Sequence, residues 1–333
     1  MDREPEELQF LGLFGIYKES FKIILSWRKI FNKITLALIL PLTFIFLAHI
    51  QISELIMSKL MQNEEALNFT RPNTPTSQRL SDRISSEWVA YWLFKAAYLV
   101  VLLIFSLLST SAVVYSIASI YTAKDLTFKK IMTVVPKVWK RLMVTFLWSF
   151  VIVFLYNIVA VVCFVISIIA VNPGTTAGTV LLTVLAILYF CGVVYISIVW
   201  HLASVISVLE DFKGINAMTK SKALIKGKMK VAFVIFVMLI IAFILIQFGF
   251  EKMVVHGERF GMWSRVFSGI VCFLLLMQLF LFGLVVQTVF YFVCKSYHHE
   301  SIDKSLLADH LEVYAGEYVP LRGKDIQLEQ YEV

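Results

Sequence analysis

The sequence predicts an all-α protein: a polytopic membrane helical bundle of six transmembrane helices with amphipathic interfacial helices on its cytosolic side. Three observations predict it. First, 59% of the 333 residues are hydrophobic, 16% are charged and 28 are Phe, whereas soluble domains average about 45–50% apolar and about 25% charged. The mean hydropathy of +0.81 marks more apolar surface than a water-soluble core of this size can hide. Second, six segments free of Asp, Glu, Lys and Arg approach or exceed the ~20 residues a membrane-spanning helix needs. Third, Lys and Arg concentrate in alternate connectors.

The six spans run over Ile34–Ile52, Ala97–Tyr121, Met143–Val171, Thr179–Leu209, Val231–Phe250 and Val266–Cys294. Hydrocarbon cannot satisfy open backbone, so each must be helical. The third, fourth and sixth exceed the bilayer thickness and should tilt or project. Pro41 predicts a kink in the first. The chain thus divides into an N-terminal amphipathic segment (1–33), a six-span membrane domain (34–294) and a C-terminal tail (295–333). The start, MDREPEEL, lacks the charged and short apolar stretches of a cleaved signal peptide, so the first span serves as an uncleaved signal.

Orientation follows from charge. Of 30 basic residues, 22 precede the first span, join spans two to three and four to five, or lie in the tail. The positive-inside rule makes that side, with both termini, cytosolic. Asn68-Phe69-Thr70 is a glycosylation sequon in the first loop, on the opposite side, which agrees. That loop, Gln62–Glu87, is rich in Asn, Ser, Thr and Pro and reads as solvated and mobile. Trp27, Trp88, Trp92, Trp139 and Trp263 flank spans as an interfacial belt. The net charge of +7 points to the anionic cytosolic leaflet as partner rather than nucleic acid. Other proteins or a second copy of the chain remain open as partners, and the plasma membrane and the endoplasmic reticulum with its endomembranes are equally open as locations.

Three cytosolic segments are amphipathic. In the first, Leu8, Leu11, Phe14, Phe21, Ile24 and Phe31 recur at helical spacing. In the second, Phe128, Ile131, Val135, Val138 and Leu142 form a stripe among Lys129, Lys130, Lys137, Lys140 and Arg141, with Thr127 as N-cap and Pro136 expected to bend or split the helix. Such stripes suit helices in the headgroup region, which makes those five cations candidates for lipid headgroups. In the third, Gly214, Ala217, Ser221 and Leu224 form a small-residue face that suits docking on another helix. Lys226 and Lys228 around Gly227 would either hold a lipid phosphate or form a solvated edge. An offset of 86 residues pairs Asp125 with Asp211, Met132 with Met218, Thr133 with Thr219 and Lys140 with Lys226, which suggests an internal parallel repeat.

Val205–Lys230, with Glu210, Gly214, Ala217, Ser221, Leu224, Lys226 and Gly227, resembles a pattern in a superfamily of multi-span proteins. That superfamily includes the membrane domain some bacterial glycerophosphodiester phosphodiesterases carry beside their catalytic barrel. Val138-Trp139-Lys140-Arg141-Leu142, Trp200-His201-Leu202 and Glu317-Tyr318-Val319-Pro320-Leu321 resemble a plant family of six-span proteins of unknown function, across nearly the whole chain. The resemblance implies a fold and a membrane location. It carries over no catalytic residue, because the phosphodiesterase chemistry belongs to a separate domain.

Catalytic constellations do not emerge. GxGxxG, P-loop, HExxH and GxSxG patterns are missing from the sequence, and no cofactor is expected. Cys163, Cys191, Cys272 and Cys294 show no metal-ligand spacing and read as buried small apolar residues; Cys294, at a membrane edge, is also an acylation candidate. His298-His299-Glu300 lacks further metal ligands in sequence, and Tyr318–Leu321 fits a sorting signal. His49, His201, Asn157, Gln247, Gln278 and Gln287 are the larger polar groups in the spans. His201 is the intramembrane candidate for a relay or substrate role, or else bonds a neighbouring helix. Glu210 and Asp211 are expected to cap the helix that follows. Two functions are compatible with these residues: a non-enzymatic scaffold or lipid-interacting protein, and a transporter or channel for an uncharged or lipid-like substrate.

Overall fold

The structure, a computed structural model, describes residues 10–70, 74–122, 126–171, 174–257 and 261–298. It is an all-α bundle. Helices α1 (Leu13–Ser26) and α2 (Arg28–Ile34) lead through a π-helical turn, Thr35–Ile39, into α3 (Leu40–Phe69). Then follow α4 (Pro75–Tyr121), α5 (Phe128–Ala170), α6 (Thr176–Leu209), α7 (Ile215–Ile225) and α8 (Met229–Phe250). A second π-helical turn, Glu251–Val255, precedes α9 (Met262–Tyr297). Six of these stretches are long and apolar enough to cross a membrane: 28–69, 75–121, 128–170, 176–209, 229–255 and 262–297. Each contains one of the charge-free segments, apart from Val171, one residue past α5. Pro41 falls at the start of α3, just after the first π turn. A proline there removes an N–H that the turn can spare.

Burial is polarised along the bundle. The buried residues of α4, apart from Ile84, run from Leu107 to Ile120, those of α6 mostly from Val194 to Leu209, and those of α9 mostly from Leu281 to Ser296. These three runs lie at the end that carries most of the lysines. In α5 the buried positions are Ile131, Val134, Val135, Val138, Leu142, Thr145 and Ser149. From Phe150 onward α5 buries nothing, and Ile169 is 80% exposed. Valine, isoleucine and phenylalanine therefore cover the outside of the α5–α6 hairpin, a surface that hydrocarbon solvates and water does not. Cys163 and Cys191 lie on this exposed surface, contrary to the expectation of buried cysteines, while Cys272 and Cys294 are buried. Inside the hairpin, the Tyr156 hydroxyl donates to the Tyr189 carbonyl at 3.1 Å and the Tyr189 hydroxyl to Asn157 Oδ1 at 2.8 Å. Gly192 admits the Tyr156 ring where a Cβ would collide with it.

Other expectations change as well. The first loop is not an open coil: α3 continues to Phe69 and α4 begins at Pro75. Between them, Asn63 Nδ2 donates to Glu87 Oε2 at 2.7 Å and the Trp88 indole to Glu64 Oε1 at 3.1 Å, while Leu60 and Ile84 are buried. The two helices form a stalk that extends past Ile52 by 17 residues, about 25 Å at the helical rise, with exposed Asn68 in its last turn.

The stripe of α5 does not face lipid. Ile131, Val135, Val138 and Leu142 are each at most 3% exposed, because the stripe packs into the main core with α4 and α6. The helix continues through Pro136 without a break. Fixed packing along the stripe supports the turn that lacks the proline N–H.

The stripe of α1 is divided. Leu11 and Phe31 are buried, but Phe14 is 84% and Phe21 56% exposed. Ile16, Glu19, Ser20 and Ile23 form the buried face instead. Tyr17 and Phe21 contact the Phe282 ring on α9, at 5.5 and 4.6 Å between centroids. Helix α1 is therefore fastened to the bundle and does not rest on lipid alone.

The suggested repeat is uneven. Thr133 and Thr219 each donate to the carbonyl four residues back. However, Met132 lies within the unbroken α5, whereas α7 ends and α8 begins anew. Gly227, at φ +96°, makes that break; its counterpart by the offset is Arg141, which has no such freedom. Asp125 falls outside the described residues.

Candidate functional site

The lysine-bearing end is built around the junction of α6 with α7. Glu210, the residue closing α6, is nearly buried, with 11% of its side chain exposed. Its Oε2 lies 2.8 Å from Lys220 Nζ on α7 and its Oε1 lies 3.0 Å from Lys295 Nζ on α9. The Tyr291 hydroxyl, one turn before Lys295, also donates to Oε1. Burial pushes the Glu210 carboxyl up, but Lys220, Tyr291 and Lys295 together outweigh it and hold it below its ordinary value. Asp211 reaches the other way, 2.7 Å from Arg141 Nη2 on α5. The acidic pair thus ties α5, α7 and α9 to the end of α6.

It does not cap α7. The N-cap there is Gly214, at φ +60° and ψ −132°, without a side-chain cap. The Gly214 N–H donates to Thr145 Oγ1 on α5 at 2.9 Å, and that oxygen lies 2.6 Å from Ser207 Oγ on α6. Ala217, Ser221 and Leu224 of α7 are buried, and Ser221 donates to the Val199 carbonyl at 2.8 Å. The small-residue face therefore lets α7 approach α6 closely.

His201 is held between helices. Its Nδ1 lies 3.0 Å from Gln287 Oε1 on α9, while Gln287 Nε2 donates to the His201 carbonyl and to Ser204 Oγ, each at 2.8 Å. Phe236 and Trp200 flank the ring. This arrangement joins α6 to α9.

Among the lipid-headgroup candidates, Lys129, Lys137, Lys140 and Lys226 are exposed and Lys130 is half-buried. Arg141 pairs with Asp211. Lys228 stands over the Tyr297 ring at 5.0 Å, and that ring fills the space beside Gly227. His298 turns its Nε2 to the carbonyls of Leu224 and Lys226, at 3.0 and 2.9 Å; His299, Glu300 and Tyr318–Leu321 lie outside the described residues. Cys294 is fully buried, so no acylating reagent can reach it in this structure.

Sequence reading missed Lys220, Tyr291, Lys295, Thr145 and Ser207. A usable signal existed for one pair: Glu210 and Lys295 are opposite charges closing two spans on the same side.

These features define a helical membrane protein whose spans are pinned at one end by ion pairs and hydroxyl contacts. The chain belongs to the family described as a domain of unknown function, DUF8558, which matches residues 1–331. No curated protein and no solved structure matches the chain.

Proposed function

We propose that the chain is a multi-pass membrane protein with its lysine-bearing end in the cytosol, acting as a non-enzymatic, lipid-interacting scaffold. One observation carries this reading. Among the described residues, the segments 10–33, 126–142 and 210–230 together with Lys295 hold seventeen Lys and Arg but three acids, Glu19, Glu210 and Asp211. Glu210 and Asp211 are already engaged by Lys220, Lys295 and Arg141. A surplus of cations at one bundle end is complementary to anionic lipid, at about 1 kcal/mol per residue near the surface. Exposed Lys129, Lys140, Lys222, Lys226 and Lys230 project this surplus outward. The resemblance to multi-span membrane domains supports the membrane placement.

The test is lipid selectivity in proteoliposomes. Spin-labelled phosphatidylserine should be immobilised by the protein in excess over spin-labelled phosphatidylcholine. The excess should shrink as salt rises and in a Lys129, Lys140, Lys226 and Lys230→Gln variant. Equal immobilisation of both lipids would refute the proposal.

A further inference from the structure

A second feature lies at the opposite end of the bundle. An open groove of about 580 Å³ runs between α3, the end of α8 and the start of α9. Its wall is apolar, with Phe44 and Leu47 from α3, and Val266 and Phe273 from α9. Two polar groups enter it, Gln51 and Arg265.

Their placement follows the chain direction. Gln51 lies seven residues beyond Phe44, about 10 Å along α3, and Arg265 lies eight residues before Phe273, about 12 Å along α9. Antiparallel helices therefore put both polar groups at the stalk end and both phenylalanines deeper in the bundle. The groove has the polarity of one leaflet: polar at the rim, hydrocarbon below.

Arg265 is fixed in place. Its Nε and Nη2 both donate to the Val254 carbonyl, at 3.1 and 2.7 Å. Val254 sits in the Glu251–Val255 π turn, and such turns release carbonyls from the regular ladder and recur at functional sites. No carboxylate among the described residues lies within ion-pair distance of the guanidinium; the rim acid Glu54 faces His256 at 3.6 Å. Gln51 Oε1 is buried without a hydrogen-bond partner. Gly269 keeps the floor clear, since a Cβ there would meet only Val254 Cγ2, at 3.7 Å.

We propose that this groove binds a membrane glycerophospholipid of the stalk-side leaflet. One acyl chain lies against Phe44, Leu47 and Phe273, and the phosphate accepts from the remaining N–H groups of Arg265. A planar guanidinium held by one edge presents the other to a phosphate. The volume fits ordinary ligand sites of about 300–1,000 Å³. The inference rests on the membrane placement proposed above and does not involve the basic face.

Native mass spectrometry of the full-length protein, purified in mild detergent and titrated with phosphatidylglycerol, tests it. The wild type retains one phospholipid. Arg265→Gln weakens retention about tenfold, the loss expected for a charge-assisted contact. Gly269→Leu, which keeps the charge and fills the slot, weakens it comparably. Retention unchanged in both variants overturns the site, as does a sterol displacing the phospholipid. Loss in the Lys129, Lys140, Lys226 and Lys230→Gln variant with retention in Arg265→Gln also overturns it, and would leave the basic-face proposal standing.

Discussion

Glu210 closes α6 with its carboxylate 2.8 Å from the Lys220 ammonium on α7. With Lys295 on the other oxygen, this one side chain neutralises two cations that are 25% and 19% exposed. Glu210→Gln leaves both without their counter-charge and should cost about 3 kcal/mol, typical of breaking a buried pair. Thermal unfolding in detergent reads this as a lower Tm. The carboxyl is held below its ordinary value, so it binds its proton more weakly folded than unfolded. Its stabilisation is complete above the ordinary glutamate pKa of about 4.3 and is lost as pH falls through the depressed folded value. Wild-type Tm should therefore fall on acidification, and Glu210→Gln should lack that component. A parallel pH profile in the two proteins would remove Glu210 from the role.

Gly214 occupies backbone space that L side chains rarely adopt, and a Cβ there would lie 2.8 Å from Trp148 Cδ1. Gly214→Ala should cost about 2 kcal/mol of backbone strain with a further clash. In Gly214→Ala with Trp148→Ala the clash is relieved and the strain persists. Full recovery of Tm in the double variant would show that the backbone conformation is not strained.

Thr145 links three segments through one oxygen, which accepts from the Gly214 N–H and contacts Ser207. Thr145→Val preserves shape but leaves a buried N–H unsatisfied, at a cost of about 1–3 kcal/mol. Thr145→Ser should recover most of it. Equal Tm for the valine and serine variants would contradict the assigned role.

The stalk depends on few contacts. Leu60 and Ile84 are its buried apolar residues, so Leu60→Ala should cost about 2–3 kcal/mol locally. Hydrogen exchange should accelerate across Asn63–Phe69 and Ser77–Glu87 and stay unchanged in α5 and α6. Acceleration spread evenly over the molecule would mean the stalk is not an independent unit.

How much of this was legible in the sequence depended on the range of the interaction. The spans were legible because exclusion of charge is a local property, and the docking face of α7 because Ala217, Ser221 and Leu224 share one helical face. The stripe from Ile131 to Leu142 was legible as periodicity, but an apolar stripe reads alike whether lipid or protein covers it. The stalk was concealed because Ser, Thr, Asn and Pro resemble loop composition, while the contacts that hold it, Asn63 to Glu87 and Glu64 to Trp88, join residues 24 apart. The partners of Glu210 on α9 lie 81 and 85 residues away, beyond any local pattern. The groove was hidden for the same reason: Gln51 and Arg265 share it only after α3 and α9 have packed.

Compartment assignment of the two bundle ends tests the central proposal most directly. In sealed microsomes, with exposed Cys163 and Cys191 replaced by Ser and Cys272 and Cys294 buried, a cysteine introduced at Lys140 should react with a membrane-impermeant maleimide from outside. A cysteine at the stalk position Ser77 should react only after permeabilisation, and Asn68 should carry an endoglycosidase-sensitive glycan. If Lys140→Cys and Ser77→Cys both react in intact vesicles, the two ends share one compartment and the proposed orientation is wrong.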